Sequence, residues 1–208
     1  MMTVNDSLKQ YIESEILPRY DHHDTAHRRD HAYKVIERSM VLAENHGADP
    51  DMTYAAAAYH DTGLCEGRET HHLVSGRIIR NDKRLRDWFS DEQIETIAQA
   101  AEDHRASGKN PPRSIYGLIV AEADRLIDPH TVIRRTIQYG ISHYPELDKE
   151  GHFRRMTIHL KEKYAEGGYL KLWLEDSPNA APLEELRSII RDDAQLRRIF
   201  DAEYDTLF

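Results

Sequence analysis

Five polar residues of this sequence stand inside apolar helical stretches, where their side chains could do chemistry. His60 and Asp61 directly follow the run Tyr-Ala-Ala-Ala-Ala-Tyr. The other three are His31, His104 and Asp124. An imidazole beside a carboxylate is expensive to bury unless a cation or a hydrogen-bond partner accompanies the pair. A bound metal ion is the simplest partner for this set.

The residue types also indicate which chemistry such an ion would serve. Imidazole nitrogen and carboxylate oxygen together suit manganese, iron, cobalt, nickel or zinc, and magnesium less well. Four protein ligands leave coordination positions for water and for a substrate oxygen. An ion bound in this way lowers the pKa of water and neutralises charge on a phosphoryl group. The sequence therefore predicts a divalent metal cofactor and leaves its identity open.

Helices must position these residues, because the apolar spacing is helical and no alternating strand pattern is found. A capping box formed by Ser90 and Gln93 predicts the start of one helix, and Gly47 predicts the end of another. The predicted helices cover about 6–17, 24–45, 51–61, a stretch from about 69, a stretch from about 90, 115–126, 129–143, 149–165 and 183–205. The pattern is typical of an all-α, single-domain bundle.

Composition excludes several classes of protein. A chain of 208 residues fits one domain of ordinary size, and its formal net charge of −9 argues against a broad nucleic-acid-binding face. No apolar run is long enough for a membrane span, and the N-terminus lacks a secretory pattern. Cys65 is the single cysteine, which fits a reducing compartment. We therefore expect a cytoplasmic protein that binds neither nucleic acid nor membrane.

The order of the polar residues resembles the HD superfamily of metal-dependent phosphohydrolases. Residues 24–35 are similar to the family's first helix, the pair at 60–61 matches its doublet, and residues 121–126 resemble the segment that supplies the final aspartate. The resemblance covers about residues 24–128. It implies an HD-type helical bundle whose metal ligands are His31, His60, Asp61 and Asp124. On this prediction residues 129–208 form further helices that pack on the metal-binding core.

Two more histidines extend the predicted site. By the resemblance, His72 lies where an extra histidine follows the doublet, and His104 lies where further histidines often occur. With Asp61 as a bridge they would hold a second metal ion; alternatively, they are general acids or phosphate contacts beside a single ion. Spacing does not settle whether His71 or His72 points inward, and the prediction is His72 because it aligns better. Glu122 competes with Asp124, which fits the family segment better.

Basic residues near the predicted ligands are candidates for binding substrate. Arg68 follows the doublet and is predicted to clamp phosphate, because guanidinium binds phosphate through two hydrogen bonds. His27 shares a helix face with His31 and is predicted to line the substrate side. Arg125 is predicted to contact substrate, with a surface salt bridge as the alternative.

The resemblance implies a phosphohydrolase that cleaves a phosphate ester or anhydride of a small metabolite, most plausibly a nucleotide. Asp61, His104 and Arg68 are the predicted catalytic residues. One alternative is a di-iron HD-fold oxygenase, which requires His72 and His104 as ligands. Another is a nucleotide-binding regulatory module without turnover. An apolar stripe at 183–199 is expected to pack internally, with a homodimer as the alternative.

Overall fold

The computed structural model describes residues 3–22, 29–108 and 110–207, and these residues contain helices and no β-strand. The helices run as follows: α1 (Asp6–Tyr11), α2 (Arg29–His46), α3 (Pro50–Tyr59), α4 (His71–Asn81), α5 (Asp91–Asp103), α6 (Ile115–Asp124), α7 (Pro129–His143), α8 (Lys149–Tyr164), α9 (Ala180–Arg191) and α10 (Asp193–Asp205). The all-α fold predicted from the sequence is confirmed. Among the described residues, no helix is long and apolar enough to cross a membrane.

The chain divides into two compact units, Met1–Arg125 and Leu126–Phe208. In the first unit α3 is the central helix, because every residue from Met52 to Tyr59 is buried. Helices α2, α5 and α6 pack around it, and α4 packs on α5. Its four consecutive alanines allow these neighbours to approach closely. The end of α3, where the doublet lies, is therefore enclosed by the ends of other helices.

Helices α7 to α10 form the second unit around an apolar core. Its largest fully buried side chains include Ile133 and Phe200. The core also contains Ile127, Val132, Ile137, Met156, Leu160, Tyr164, Leu170, Leu183, Leu186, Ile189, Ile190 and Leu196. The division falls close to the end predicted for the metal-binding core. The expectation of a single domain, with the C-terminal helices packed on that core, stays a prediction.

Most predicted helices are present, and two differ in a way that has a physical cause. The helix predicted over 183–205 is two helices, because Asp192 has an extended backbone and its side chain accepts a hydrogen bond from Gln195 N, 2.9 Å away, as the cap of α10. The first predicted helix is α-helical only to Tyr11. It continues as a π-helical turn, Ile12–Ile16, and a 3₁₀ helix, Leu17–His22, which contains Pro18.

Candidate metal centre

Six histidine and aspartate side chains meet in the first unit, and each belongs to the end of a helix. They are His31 in the first turn of α2, His60 and Asp61 after α3, His71 at the start of α4, His104 after α5, and Asp124 at the end of α6. Backbone groups at helix ends lack partners within the helix, so they are free to bond side chains. Helix ends can therefore both supply these ligands and orient them.

Three of the histidines are oriented by the same device. The Nδ1 atoms of His60, His71 and His104 lie 2.7, 2.7 and 2.5 Å from the carbonyl oxygen of the residue three positions earlier. A carbonyl oxygen only accepts, so each Nδ1 carries the proton and donates it. In the neutral ring this leaves the Nε2 lone pair directed into the cluster. That is the tautomer a metal ion requires.

The doublet is held in place from the N-terminal side of the unit. Tyr20 is fully buried, and its hydroxyl donates to the carbonyl oxygen of Ala58 at 2.9 Å. The same hydroxyl oxygen accepts from the backbone N of Asp61 at 3.2 Å. Burial and the nearby Asp61 carboxylate raise the pKa of Tyr20, so its hydroxyl stays protonated and can keep both bonds.

The first ligand group contains His31, His60 and Asp124, whose ligand atoms all lie within 4.8 Å of one another. The Oδ1 atom of Asp124 is 3.1 Å from His31 Nε2 and 3.8 Å from His60 Nε2. These are three of the four residues predicted to bind one ion. The structure brings them together as the resemblance implied.

The second ligand group contains Asp61, His71 and His104, which are all buried. The Oδ1 atom of Asp61 is 3.3 Å from His71 Nε2 and 3.4 Å from His104 Nε2. The two Nε2 atoms are 3.2 Å apart. Two imidazole Nε2 atoms and a carboxylate oxygen therefore face one another at close range.

Asp61 joins the two groups. While its Oδ1 faces His71 and His104, its Oδ2 lies 3.3 Å from His60 Nε2 and 3.8 Å from His31 Nε2. One carboxylate thus presents a different oxygen to each group. A carboxylate placed in this way would be available to a metal ion in either group.

The surroundings keep the aspartates ionised. Burial would raise the pKa of Asp61, but the neighbouring His60 and His104 hold it well below its usual value. Burial acts in the same direction on Asp124, and a hydrogen bond from His31 holds the pKa of that carboxyl low. Both carboxylates are therefore negatively charged at neutral pH and able to bind a cation.

The pKa values of His71 and His60 shift in opposite directions. Burial together with the nearby His104 lowers the pKa of His71 to about 4. Burial would also lower the pKa of His60, but the adjacent Asp61 carboxylate raises it above its usual value. His71 is therefore neutral at physiological pH and offers a lone pair for coordination.

The donor set fits a divalent metal ion. His60 Nε2 is buried and faces carboxylates, yet no described residue forms a hydrogen bond with it. When both rings are neutral, the facing Nε2 lone pairs of His71 and His104 repel each other and the Asp61 oxygen unless a cation lies among them. Mixed nitrogen and oxygen ligands are the type that manganese, iron, cobalt, nickel and zinc accept.

The structure corrects one predicted ligand, since His71 and not His72 belongs to the second group. The reason is the close approach of α4 to the turn after the doublet. A Cβ atom at Gly63 would lie 2.1 Å from the carbonyl oxygen of His71 and 2.6 Å from the backbone N of Ser75. Ser75 Oγ also accepts from the backbone N of Gly63 at 2.9 Å. This contact turns His71 toward Asp61.

The predicted substrate residues have mixed outcomes. Arg68 is exposed beside the second group, and its carbonyl oxygen is the one that orients His71. Arg125 is only 6% exposed and donates to the carbonyl oxygen of Ala121. The predicted surface salt bridge is therefore wrong, and little of the guanidinium is accessible to a substrate.

Glu122, the competitor of Asp124, is buried and belongs to neither ligand group. His27 lies outside the described residues.

Sequence reasoning also missed a basic residue beside the second group. Arg105 Nη1 donates to the carbonyl oxygen of Glu69 at 2.6 Å, which fixes the guanidinium at the start of α4. There it lowers the pKa of His72, although burial is the larger cause. The only sequence signal was its position directly after His104.

The segment that carries all six candidate ligands matches a known family. The family model of the HD domain matches residues 28–127, nearly half of the chain. The resemblance to this family that the motifs predicted is therefore confirmed for that segment. No curated protein matches the chain.

A solved structure has a similar fold. It is that of a predicted HD superfamily hydrolase from an uncultured Thermotogales bacterium. The two share 20% sequence identity with a TM-score of 0.57, over 95% of this chain and 92% of that one. At this level of sequence identity, the comparison shows that the two proteins share a fold.

Proposed function

We propose that this protein is a metal-dependent phosphohydrolase that acts on a small phosphorylated metabolite, most plausibly a nucleotide. The observation that carries the proposal is the position of Asp61, whose two carboxylate oxygens face two separate ligand groups. The HD domain over residues 28–127 supports the same class of enzyme.

On this proposal His31, His60 and Asp124 would hold one ion, His71 and His104 would hold a second, and Asp61 would be available to both. Bound divalent ions supply Lewis acidity toward a phosphoryl oxygen and lower the pKa of water. The Asp61 carboxylate orients the attacking water, because it is the one ionised oxygen ligand shared by both groups. The carbonyl oxygens that accept from the imidazole Nδ1 atoms keep the ligands aligned during turnover.

Substrate recognition is local on this proposal. The chain has a formal net charge of −9, so it offers little long-range attraction for an anion. Arg68 and Arg105 are both tied to the start of α4, since Arg68 O accepts from His71 Nδ1 and Arg105 Nη1 donates to Glu69 O. Their guanidinium groups stabilise the negative charge that develops on a transferred phosphoryl group.

The first test is elemental analysis of the full chain, prepared without chelators and without a histidine tag. The proposal expects between one and two divalent ions per chain. Phosphate release is then measured from a panel of nucleotides and pyrophosphate with added manganese, cobalt, nickel, zinc or magnesium. A chain that binds no metal after such additions would contradict the proposal.

A di-iron oxygenase is the second candidate, and the six-residue, two-group ligand set is the observation that favours it. The two candidates differ in their need for oxygen. A phosphohydrolase releases phosphate under anaerobic conditions, whereas an oxygenase loaded with iron consumes oxygen when its substrate is present. Oxygen uptake with no anaerobic phosphate release would select the oxygenase.

A further inference from the structure

A cavity of about 600 Å³ opens beside the segment that links the two ligand groups. One wall comes from the 3₁₀ helix Leu17–His22, which supplies Arg19 and His22, and the other comes from residues 62–68, which include Arg68. Among the described residues that line the cavity, none is acidic. A volume of this size is typical of pockets for small molecules.

Two acidic residues close to these walls in sequence, Asp21 and Glu66, pair with arginines that do not line the cavity. Asp21 accepts from Arg29 Nε at 3.0 Å, and Glu66 accepts from Arg77 Nη2 at 2.5 Å. Neither carboxylate is among the described lining residues. A cavity whose described lining residues are basic or uncharged favours an anionic ligand.

The walls are also fixed before any ligand arrives. Next to Arg19, the buried Tyr20 anchors the 3₁₀ helix through its bond to Ala58 O. On the other wall Thr62 Oγ1 donates to the carbonyl oxygen of Tyr59 at 2.8 Å, and Arg68 O accepts from His71. Basic side chains on a preformed frame bind a ligand with a smaller loss of entropy than mobile ones.

Part of the lining is apolar. Leu64 and Ile78 contribute hydrocarbon surface next to the basic groups. An inorganic anion would leave that surface in water, whereas an organic phosphate would cover it and gain apolar contact. The mixture of basic and apolar lining therefore points to a phosphorylated organic compound.

We propose that this cavity is a binding pocket for a small phosphorylated organic compound, whose phosphate group is bound by Arg19 and Arg68 and whose organic part contacts Leu64 and Ile78. The pocket is built from residues outside the two ligand groups. Binding there is consequently independent of metal, and its test does not depend on the proposed hydrolysis.

The test uses calorimetric titration of the full chain carrying Asp61→Asn, which removes the bridging carboxylate and prevents turnover. The probes are adenosine 5′-monophosphate, inorganic phosphate and adenosine. Adenosine 5′-monophosphate should bind at one site, more tightly than inorganic phosphate, and adenosine should not bind measurably. Wild-type chain titrated in excess chelator repeats the measurement without relying on the fold of the variant.

Arg19 lines the pocket and has no part in the proposed hydrolysis, so its substitution separates this site from the metal centre. Arg19→Gln and Arg68→Gln should each weaken the binding of adenosine 5′-monophosphate at least tenfold, the loss expected when a charge-assisted hydrogen bond is removed. Arg84→Gln is the matched control, since this exposed arginine pairs with Asp87 and does not line the pocket; it should change the Kd less than twofold.

Three results would overturn the proposal. The first is that adenosine 5′-monophosphate binds only when metal is present, which would place its phosphate at the metal centre. The second is that neither pocket substitution weakens its binding. The third is that adenosine or inorganic phosphate binds as tightly as the nucleotide.

Discussion

The two units differ in how their buried polar groups are arranged. The first encloses ionisable side chains, among them His60, Asp61 and His104, that face one another. In the second, the buried Thr136 bonds to the backbone instead, since its Oγ1 donates to the carbonyl oxygen of Val132 at 2.8 Å. Charged groups are buried in proteins only where they are compensated. The difference teaches that the first unit is shaped around a ligand and the second around its own packing.

The contrast extends to stability. Metal bound to the folded state alone stabilises that state by mass action, so the first unit should gain stability on binding its ions. The stability of the second unit comes from the burial of its apolar core, so metal binding should not change it. Substitutions in the two units should therefore separate metal binding from the free energy of unfolding.

The largest effect is expected from Asp61→Asn. Replacing the bridging carboxylate by an amide removes an ionised ligand from both groups, so metal content and phosphohydrolase activity should both fall to background. Elemental analysis and phosphate release measure these losses, while circular dichroism should show unchanged helix content. Asp87→Asn, an exposed aspartate paired with Arg84, is the control and should keep full metal. If Asp61→Asn kept its metal, Asp61 would not be a ligand of either group, and the contrast drawn between the two units would fail.

Phe200→Ala should have the largest effect on stability alone. Phe200 is fully buried in the second unit, and its ring centroid lies 5.1 Å from that of Phe153 and 5.2 Å from that of Tyr204. Its truncation should lower the free energy of unfolding by about 3–5 kcal/mol. Denaturant titration measures the loss. Metal content per folded chain should stay at the wild-type value, and a fall in it would show that the second unit contributes to the metal site.

A smaller, selective effect is expected from His71→Ala. Because His71 faces Asp61 and His104 while His72 does not belong to either group, His71→Ala should weaken the binding of one ion by more than tenfold. His72→Ala is the matched comparison and should leave metal affinity within about twofold, since only an outer contact changes. Metal titration of the apo-protein distinguishes the two, and the reverse order of effects would restore His72 as the ligand.

The smallest effect is expected from Ser90→Ala. The Ser90 hydroxyl accepts from Gln93 N at 3.3 Å, and Gln93 accepts in return from Ser90 N at 2.9 Å, which closes the capping box of α5. Loss of the cap should cost about 1 kcal/mol of unfolding free energy. His104 lies at the opposite end of this helix, so metal affinity should not change. Thermal unfolding and metal titration together check both halves of the prediction.

The helices were predictable because their signals are local. The capping box at Ser90, the stop at Gly47 with a φ of 63° and the helix Pro129–His143 were all present in the sequence as the structure has them. The break at Asp192 was missed, since the apolar stripe continues through it and only the backbone shows that the aspartate caps a new helix.

The first ligand group was predictable from the order of its motifs, but the register of α4 was not. Neighbouring residues on a helix point about 100° apart, so either His71 or His72 could face the site. A signal did exist: His71 precedes the buried Val74, Ser75 and Ile79 at helical spacing. Which of the two histidines faces the site is decided by a tertiary contact, the close approach of Gly63 to the backbone of α4.

Because the carbonyl oxygens that orient His60, His71 and His104 belong to the backbone, the aim of these rings does not depend on which side chains stand at positions 57, 68 and 101. Many metal sites rely on a surrounding layer of acidic side chains for this purpose, and each of those can be lost by a single substitution. Here the corresponding atoms cannot be removed by replacing a side chain. The chain is consequently free to vary Arg68, and with it the chemistry offered to a substrate, without disturbing the imidazole that Arg68 aligns.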